Sequence, residues 1–221
     1  MAVLSELTAQ FKLFLGEGKI NLNEDTLKII LVKSGFSFDP KKHKFLKNLK
    51  TNLTGSSDIN FLSSTDTIHR DNGGFLSAGF IEGNHIKITN TTNNNDLELT
   101  IKTVTDTDIT VNETGVINDE SGTSATITSD DELGNGYGYT QLDKIISVES
   151  VDISNDASVV FSFSNTSWTA SGGDLGATAG AIIFDDTNTD KCIIGYIDFG
   201  SDQTASDGTS LDIESCSIIL G

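Results

Sequence analysis

A single proline in 221 residues leaves the turns of this chain to other residues. Glycine, which adopts left-handed backbone freely, is present 21 times, and Asn and Asp, which bond their own backbone, are frequent. Cysteine is nearly missing as well. Cys192 and Cys216 form no Cys-x-x-Cys pair and have no histidine at ligand spacing, which excludes a disulfide scaffold and argues against a structural zinc. Buried free thiols are the expectation. No apolar run approaches the roughly 18 residues that span a bilayer. The longest, Ile29 to Val32 and Ala181 to Phe184, are strand-sized, so no membrane partner is expected. Met1 to Gly18 has no basic segment followed by an apolar core, so no signal peptide is expected either.

Positive charge is scarce. There are 14 Lys and Arg against 32 Asp and Glu, a net charge of −18. Such a field repels phosphate backbones and speaks against nucleic acid as a partner. The scarcity is uneven, because residues 1–50 hold nine lysines against five acidic residues, while the rest carries five basic and 27 acidic residues. Within that basic end, Phe36, Phe38 and Phe45 are interleaved with Lys41, Lys42, Lys44, Lys47 and Lys50. Aromatics among basic residues occur in single-strand nucleic-acid sites. Here the run is short, and Phe45, Leu46 and Leu49 equally fit one helical turn packed on a core. Lys41, Lys42, Lys44 and Lys47 are candidate partner-binding residues, since a basic patch on an acidic body steers and orients a protein encounter.

Catalytic signatures are missing too. There is no Gly-Lys-Ser/Thr phosphate loop, no Gly-x-Ser-x-Gly elbow and no His-Glu-x-x-His, and the three histidines are His43, His69 and His85. No enzymatic activity and no cofactor are expected. Calcium could be held through oxygen ligands at Asp130-Asp131-Glu132, at Asp185-Asp186 with Asp190, or at Asp202 with Asp207. None of these matches the EF-hand loop, and the plainer reading is turn chemistry.

What is present is strand signal. Leu4, Leu7, Phe11 and Phe14/Leu15 predict a short amphipathic helix over 3–15, stopped by Gly16 and Gly18. Thr26 to Val32 reads as a buried strand. From 75 to 128, short alternating segments (86–88, 97–101, 109–111, 125–127) lie between Asn/Asp-rich turns and describe a separate small barrel or sandwich. Longer strands follow at 143–151, 158–163, 181–184, 192–199 and 217–220. Val159, Phe161 and Phe163 occupy alternate positions, as one buried face requires. The fold class is mainly β.

Certain segments also occur in a recognisable order. Leu27-Lys28-Ile29-Ile30-Leu31-Val32-Lys33-Ser34-Gly35-Phe36 is followed by Glu132-Leu133-Gly134-Asn135-Gly136-Tyr137, then by Ser167-Trp168-Thr169-Ala170, and finally by Tyr196-Ile197-Asp198-Phe199-Gly200. This order resembles a family of tailed-bacteriophage virion proteins encoded beside the major capsid protein. Thr67-Ile68-His69-Arg70, Gly73-Gly74-Phe75, Gly79-Phe80, Gly83, Ile86, Ile88, Asn94 and 101–111 resemble a small β-module that recurs in phage tail and capsid-associated proteins.

The resemblance implies a discontinuous main domain, 1–70 with 135–221, built as a β-sandwich or barrel with a short N-terminal helix. A small barrel-like module over 71–134 would be inserted in it. It implies a structural role: a capsid decoration (cement) protein on the outer head surface, stabilising the shell by bridging subunits of the major capsid protein. A homo-oligomer, with a trimer the first choice, would suit a lattice. The protein would be made in the host bacterial cytoplasm and reside in the virion. A tail, connector or fibre component, or a receptor- or glycan-binding module, are the alternatives.

Overall fold

A computed structural model describes residues 6–154 and 158–220. It is mainly β, and every strand pair it contains is antiparallel. The chain divides into two compact units, Met1–Leu46 with Glu132–Gly221, and Lys47–Asp131.

The first unit centres on a five-stranded sheet in the order Glu6–Leu7, Ile193–Ala205, Leu175–Asp185, Leu27–Lys33, Ile145–Ile146. Its three central strands are apolar on both faces. Leu27, Ile29, Leu31, Ala181, Ile183 and Ile194 enter the main core, and Ile30, Ile182 and Ile193 are equally buried on the reverse. Burial on both faces explains why these strands read as continuous apolar runs and not as alternation. A three-stranded sheet (Val148–Ile153, Val159–Phe163, Ser217–Leu220) and the pair Thr166–Thr169 with Ser210–Ile213 close the core around Trp168, which is 1% exposed.

The helix spans Ala9–Gly16, shorter than the expected 3–15. Thr8 caps it: its Oγ1 accepts from Phe11 N at 3.0 Å and donates to Ile193 O at 2.6 Å. Leu7, expected on the helical stripe, instead pairs with Gly195 in the sheet, and Leu4 lies outside the described residues. Phe11 and Phe14 make the buried face.

The second unit is an eight-stranded sheet in the order Lys50–Thr54, Thr126–Asp130, His85–Thr89, Glu98–Val104, Asp108–Val111, Thr67–Arg70, Ile59–Leu62, Glu120–Thr123. Opposed residues share a face, and here Leu53 faces Ile127, Ile127 faces Ile88, Ile86 faces Leu99, Ile101 faces Val111, and Ile68 lies between Ile109 and Phe61. All belong to one core, so the sheet curls round it as a barrel does. Phe75 of the short helix Phe75–Ala78 and Phe80 just beyond it meet edge to face at 5.9 Å and plug that core. Gly79 ends this helix at φ +115°, where a Cβ would lie 2.5 Å from Lys47 O, so glycine is required.

The inserted unit was expected at 71–134, whereas the compact unit is Lys47–Asp131. The three strands of 50–70 pair within its sheet, with Lys50–Thr54 against Thr126–Asp130 and Thr67–Arg70 against Asp108–Val111. At the other end, Glu132 bridges Val32 and Leu133 N bonds Leu31 O at 2.8 Å, which assigns them to the first unit.

Candidate functional site

The segment 34–46 follows the central strand Leu27–Lys33 and crosses the reverse face of its sheet. Tyr196, Ile182 and Ile30 are opposed on neighbouring strands, so all three point to that face. Phe38 stacks against His43 (5.4 Å, 14°) and against Tyr196 (5.2 Å, 25°), while Phe36 meets the same two rings at 5.1 and 5.8 Å in tilted and edge-on contacts. Gly180 makes room for the tyrosine, since a Cβ there would lie 2.5 Å from its ring.

Hydrogen bonds fix the rest of the loop. Asp39 O accepts from Lys42 N and His43 N, Asp39 Oδ1 accepts from Lys41 N at 2.8 Å, and Asp39 N donates to His43 Nδ1 at 2.9 Å. Ile193 N donates to Lys44 O and Leu46 N to Lys191 O, each at 2.9 Å, so the loop ends as an added rung of sheet. His43 is buried, and Lys41, Lys42 and Lys44 around it are exposed. Three of the four candidate lysines therefore share one pinned loop. Lys47 falls in the second unit, where its Nζ donates to Ser77 O at 3.4 Å.

Beside the loop lies an open cavity of about 440 Å³. Phe36, Ser37 and Phe38 line it from the loop, and Tyr196, Asp198, Ser201 and Asp202 from the long strand Ile193–Ala205, with Glu6 and Ala179 completing the wall. Asp202 accepts a hydrogen bond from the Ser34 hydroxyl, and Asp198 accepts from Gly200 N at 2.8 Å. The Tyr196 hydroxyl donates to Ala179 O at 3.2 Å. Burial pushes its pKa up to about 12, and the negative charges of Asp198 and Asp202 push the same way. The cavity is thus acidic, and the loop beside it carries lysines.

The sequence singles out the phenylalanines and lysines of the loop, and Asp202 as a calcium candidate with Asp207, but not Glu6 or Tyr196 as site residues. Tyr196-Ile197-Asp198 places alternate residues on one strand face, and that signal was present, but nothing in the sequence told which segment would lie across it.

The acidic clusters considered for calcium are engaged locally. Asp130 pairs with Lys50 at 2.9 Å, Asp131 accepts from Asn84 Nδ2 at 3.1 Å, and Glu132 accepts from Tyr139 Oη and Leu142 N. Asp185 Oδ1 accepts from the amides of Thr187 and Asn188, and Asp186 pairs with Lys28 and Lys191. Asp207 Oδ1 accepts from Gly172 N. Among the described residues no three His, Cys, Asp or Glu side chains converge as a metal site, and no helix is long and apolar enough to cross a membrane. Cys192 and Cys216 are buried free thiols.

Comparison of the chain with family models, with curated proteins and with solved structures returns no match.

Proposed function

We propose that this chain is a structural protein of a tailed-bacteriophage virion, a capsid decoration protein on the outer head surface that bridges subunits of the major capsid protein. The observation that carries the reading is the pinned loop, which presents Lys41, Lys42 and Lys44 from a chain of net charge −18. A loop already ordered before contact loses little conformational entropy on docking. Its charge orients the encounter, and weak contacts repeated over a lattice sum to a stable coat. The ordered motifs that resemble the phage family support the same reading, and a trimer is the oligomer that suits a shell with local three-fold axes.

The test is occupancy on reconstituted heads. Wild type should bind in numbers comparable to the major capsid protein, and replacing Lys41, Lys42 and Lys44 by Gln should reduce binding, most at low salt. Unchanged occupancy would remove this loop from the contact. A copy number matching one ring at the portal or tail would favour a connector or tail component, the second reading, which the likeness of the inserted unit to tail modules supports.

A further inference from the structure

The turn between the strands Leu175–Asp185 and Ile193–Ala205 holds a buried oxygen that has no donor. Asp185 is 0% exposed. Its Oδ1 accepts from Thr187 N at 2.8 Å and from Asn188 N at 3.1 Å, and its Oδ2 has no hydrogen-bond partner. The side chain that this carboxyl does meet is another carboxyl, that of Asp25. The backbone brings the two together. Asp185 pairs with Leu27 across the sheet, Asp186 N donates to Thr26 O at 2.8 Å, and Thr26 N donates to Thr187 Oγ1 at 2.7 Å. Asp25, the residue before Thr26, is half-buried, and its Oδ2 accepts from Asn21 N at 2.6 Å.

A buried acceptor left without a donor is costly, and two carboxylates in contact repel unless something positive lies between them. The lysines of this corner do not fill that place. Lys28 and Lys191 both pair with Asp186, and among the described residues no lysine, arginine or histidine pairs with Asp25 or Asp185. Glu24 adds a further negative charge next to Asp25 in the chain. The corner therefore has an unmet demand for positive charge. Both free donors are carboxylate oxygens, which suit hard divalent cations. Two carboxylates are fewer than a closed cage needs, and no third His, Cys, Asp or Glu joins them among the described residues. Such a set is what Mg²⁺ is commonly given, the remaining positions being water. Asp25, being half-buried, leaves one side open to that water.

We propose that Asp25 and Asp185 together hold a hard divalent cation, Mg²⁺ or Ca²⁺, which keeps several of its waters. The site differs from the cluster expected from the sequence. There Asp185 was grouped with Asp186 and Asp190, whereas Asp186 is taken by two lysines and the distant Asp25 stands beside Asp185. The ion clips the start of the strand Leu27–Lys33 to the turn 186–192. That turn also holds the end of the lysine loop, through Lys191 O and Ile193 N. Bound ion therefore steadies the central sheet and the anchor of the loop at once. The proposal does not rest on the virion reading. A single proton shared by the two carboxyls would relieve the same repulsion, and the experiment separates the two.

The whole chain is stripped with a chelator, returned to chelator-free buffer at neutral pH, and titrated with MgCl₂ or CaCl₂ into the millimolar range at constant ionic strength while backbone amide resonances are followed. Saturable shifts should appear at Asn21, Thr187 and Asn188, whose amides donate to the two carboxylates. The dissociation constant should be about 10⁻⁴–10⁻³ M, the weak end of calcium-site affinities. The melting temperature should rise with ion concentration. Asp25→Asn and Asp185→Asn each keep the shape and remove one charge. Each should weaken the ion about tenfold or more, because affinity follows the number of charged ligands. Asp207→Asn, in a separate acidic loop, should bind as wild type does. Unchanged far-ultraviolet dichroism and an unmoved Trp168 emission would show that the variants fold, and if Asp185→Asn does not, Asp25→Asn at its half-buried position decides. No response of these amides to either ion, the result a shared proton gives, would overturn the proposal. So would shifts that spread over the acidic surface without saturating, or equal affinity in wild type and Asp25→Asn.

Discussion

Phe38 lies parallel to Tyr196, with centroids 5.2 Å apart and planes inclined by 25°. One residue belongs to a loop and the other to the longest strand of the first unit, so this contact turns a lysine-rich loop into a fixed surface. Offset stacking of two rings contributes about 0.5–1.5 kcal/mol beyond the area it buries.

Removing the loop ring should therefore loosen the lysines without unfolding the protein. Phe38 is half-buried, so Phe38→Ala should cost less than the roughly 3–5 kcal/mol of a fully buried phenylalanine. Amide exchange at Lys41 to His43 should accelerate, while exchange in the strand Leu27–Lys33 stays slow. Unaltered exchange in the loop would show that the hydrogen bonds of Asp39 alone hold it.

The second unit carries an ion pair whose titration can be read directly. Asp58, 4% exposed, accepts from Arg70 Nε at 2.9 Å, from Asn72 Nδ2 and from Ser56 N. Burial pushes its carboxyl up, but the amide of Ser56, the Asn72 side chain and the Arg70 guanidinium together hold it below its ordinary value of 3.8. A depressed folded pKa stabilises the fold at pH above the ordinary carboxyl range, and that contribution is lost as pH falls through the folded value. Arg70→Ala should cost about 1.5–3 kcal/mol near neutral pH, as for a hydrogen bond to a charged group. The gap between variant and wild type should close in acid, as followed by denaturant unfolding. A gap that is constant with pH would mean that Arg70 acts by packing alone.

Both thiols should be silent in the native protein. Burial pushes Cys192 up to about 12, assisted by Asp185 and Asp190, and burial alone does the same to Cys216. Since the thiolate is the reactive form, iodoacetamide at mildly alkaline pH should leave both unmodified until denaturant is added. Rapid labelling of either in the native state would contradict its burial.

Trp168 provides the report on the main core. It is 1% exposed and tilted against Tyr139 at 6.1 Å. Its emission should be blue-shifted and shielded from acrylamide, and Trp168→Ala should cost about 3–5 kcal/mol. Emission like that of indole in water would place it at the surface.

Much of the architecture was legible because burial writes itself into strands. Leu27 to Val32 runs apolar because both its faces are covered, and the segments from 85 to 130 alternate in register with one another, whereas the face expected from Val159, Phe161 and Phe163 is only partly realised: Phe163 is buried and Phe161 packs against the core, but Val159 is no more buried than Val160. The strand Lys50–Thr54 was not legible, because Leu53 is the one apolar residue in it and its pairing with Thr126–Asp130 spans more than 70 residues of sequence. The cavity failed for a related reason. Glu6, Phe38 and Asp202 come from three distant segments, and nothing local in any of them announces the others.

The corrected boundary of the inserted unit can be tested by excision. Every residue of its core lies between Leu53 and Ile127, and every residue of the other core lies outside 47–131. Both ends of the excised stretch remain anchored in the first unit, Phe45 by its bridge to Cys192 and Glu132 by its bridge to Val32. Replacing 47–131 by a Gly-Ser linker should therefore leave a remainder that unfolds in one cooperative transition, with Trp168 still shielded. Replacing only 71–134 should fail, because it leaves Lys50–Thr54 without Thr126–Asp130 and Thr67–Arg70 without Asp108–Val111. Unpaired strands exposing Leu53, Ile59, Phe61 and Ile68 would drive that variant to aggregate. Cooperative unfolding of the 71–134 deletion with loss of structure in the 47–131 deletion would reverse the assignment of residues 47–70.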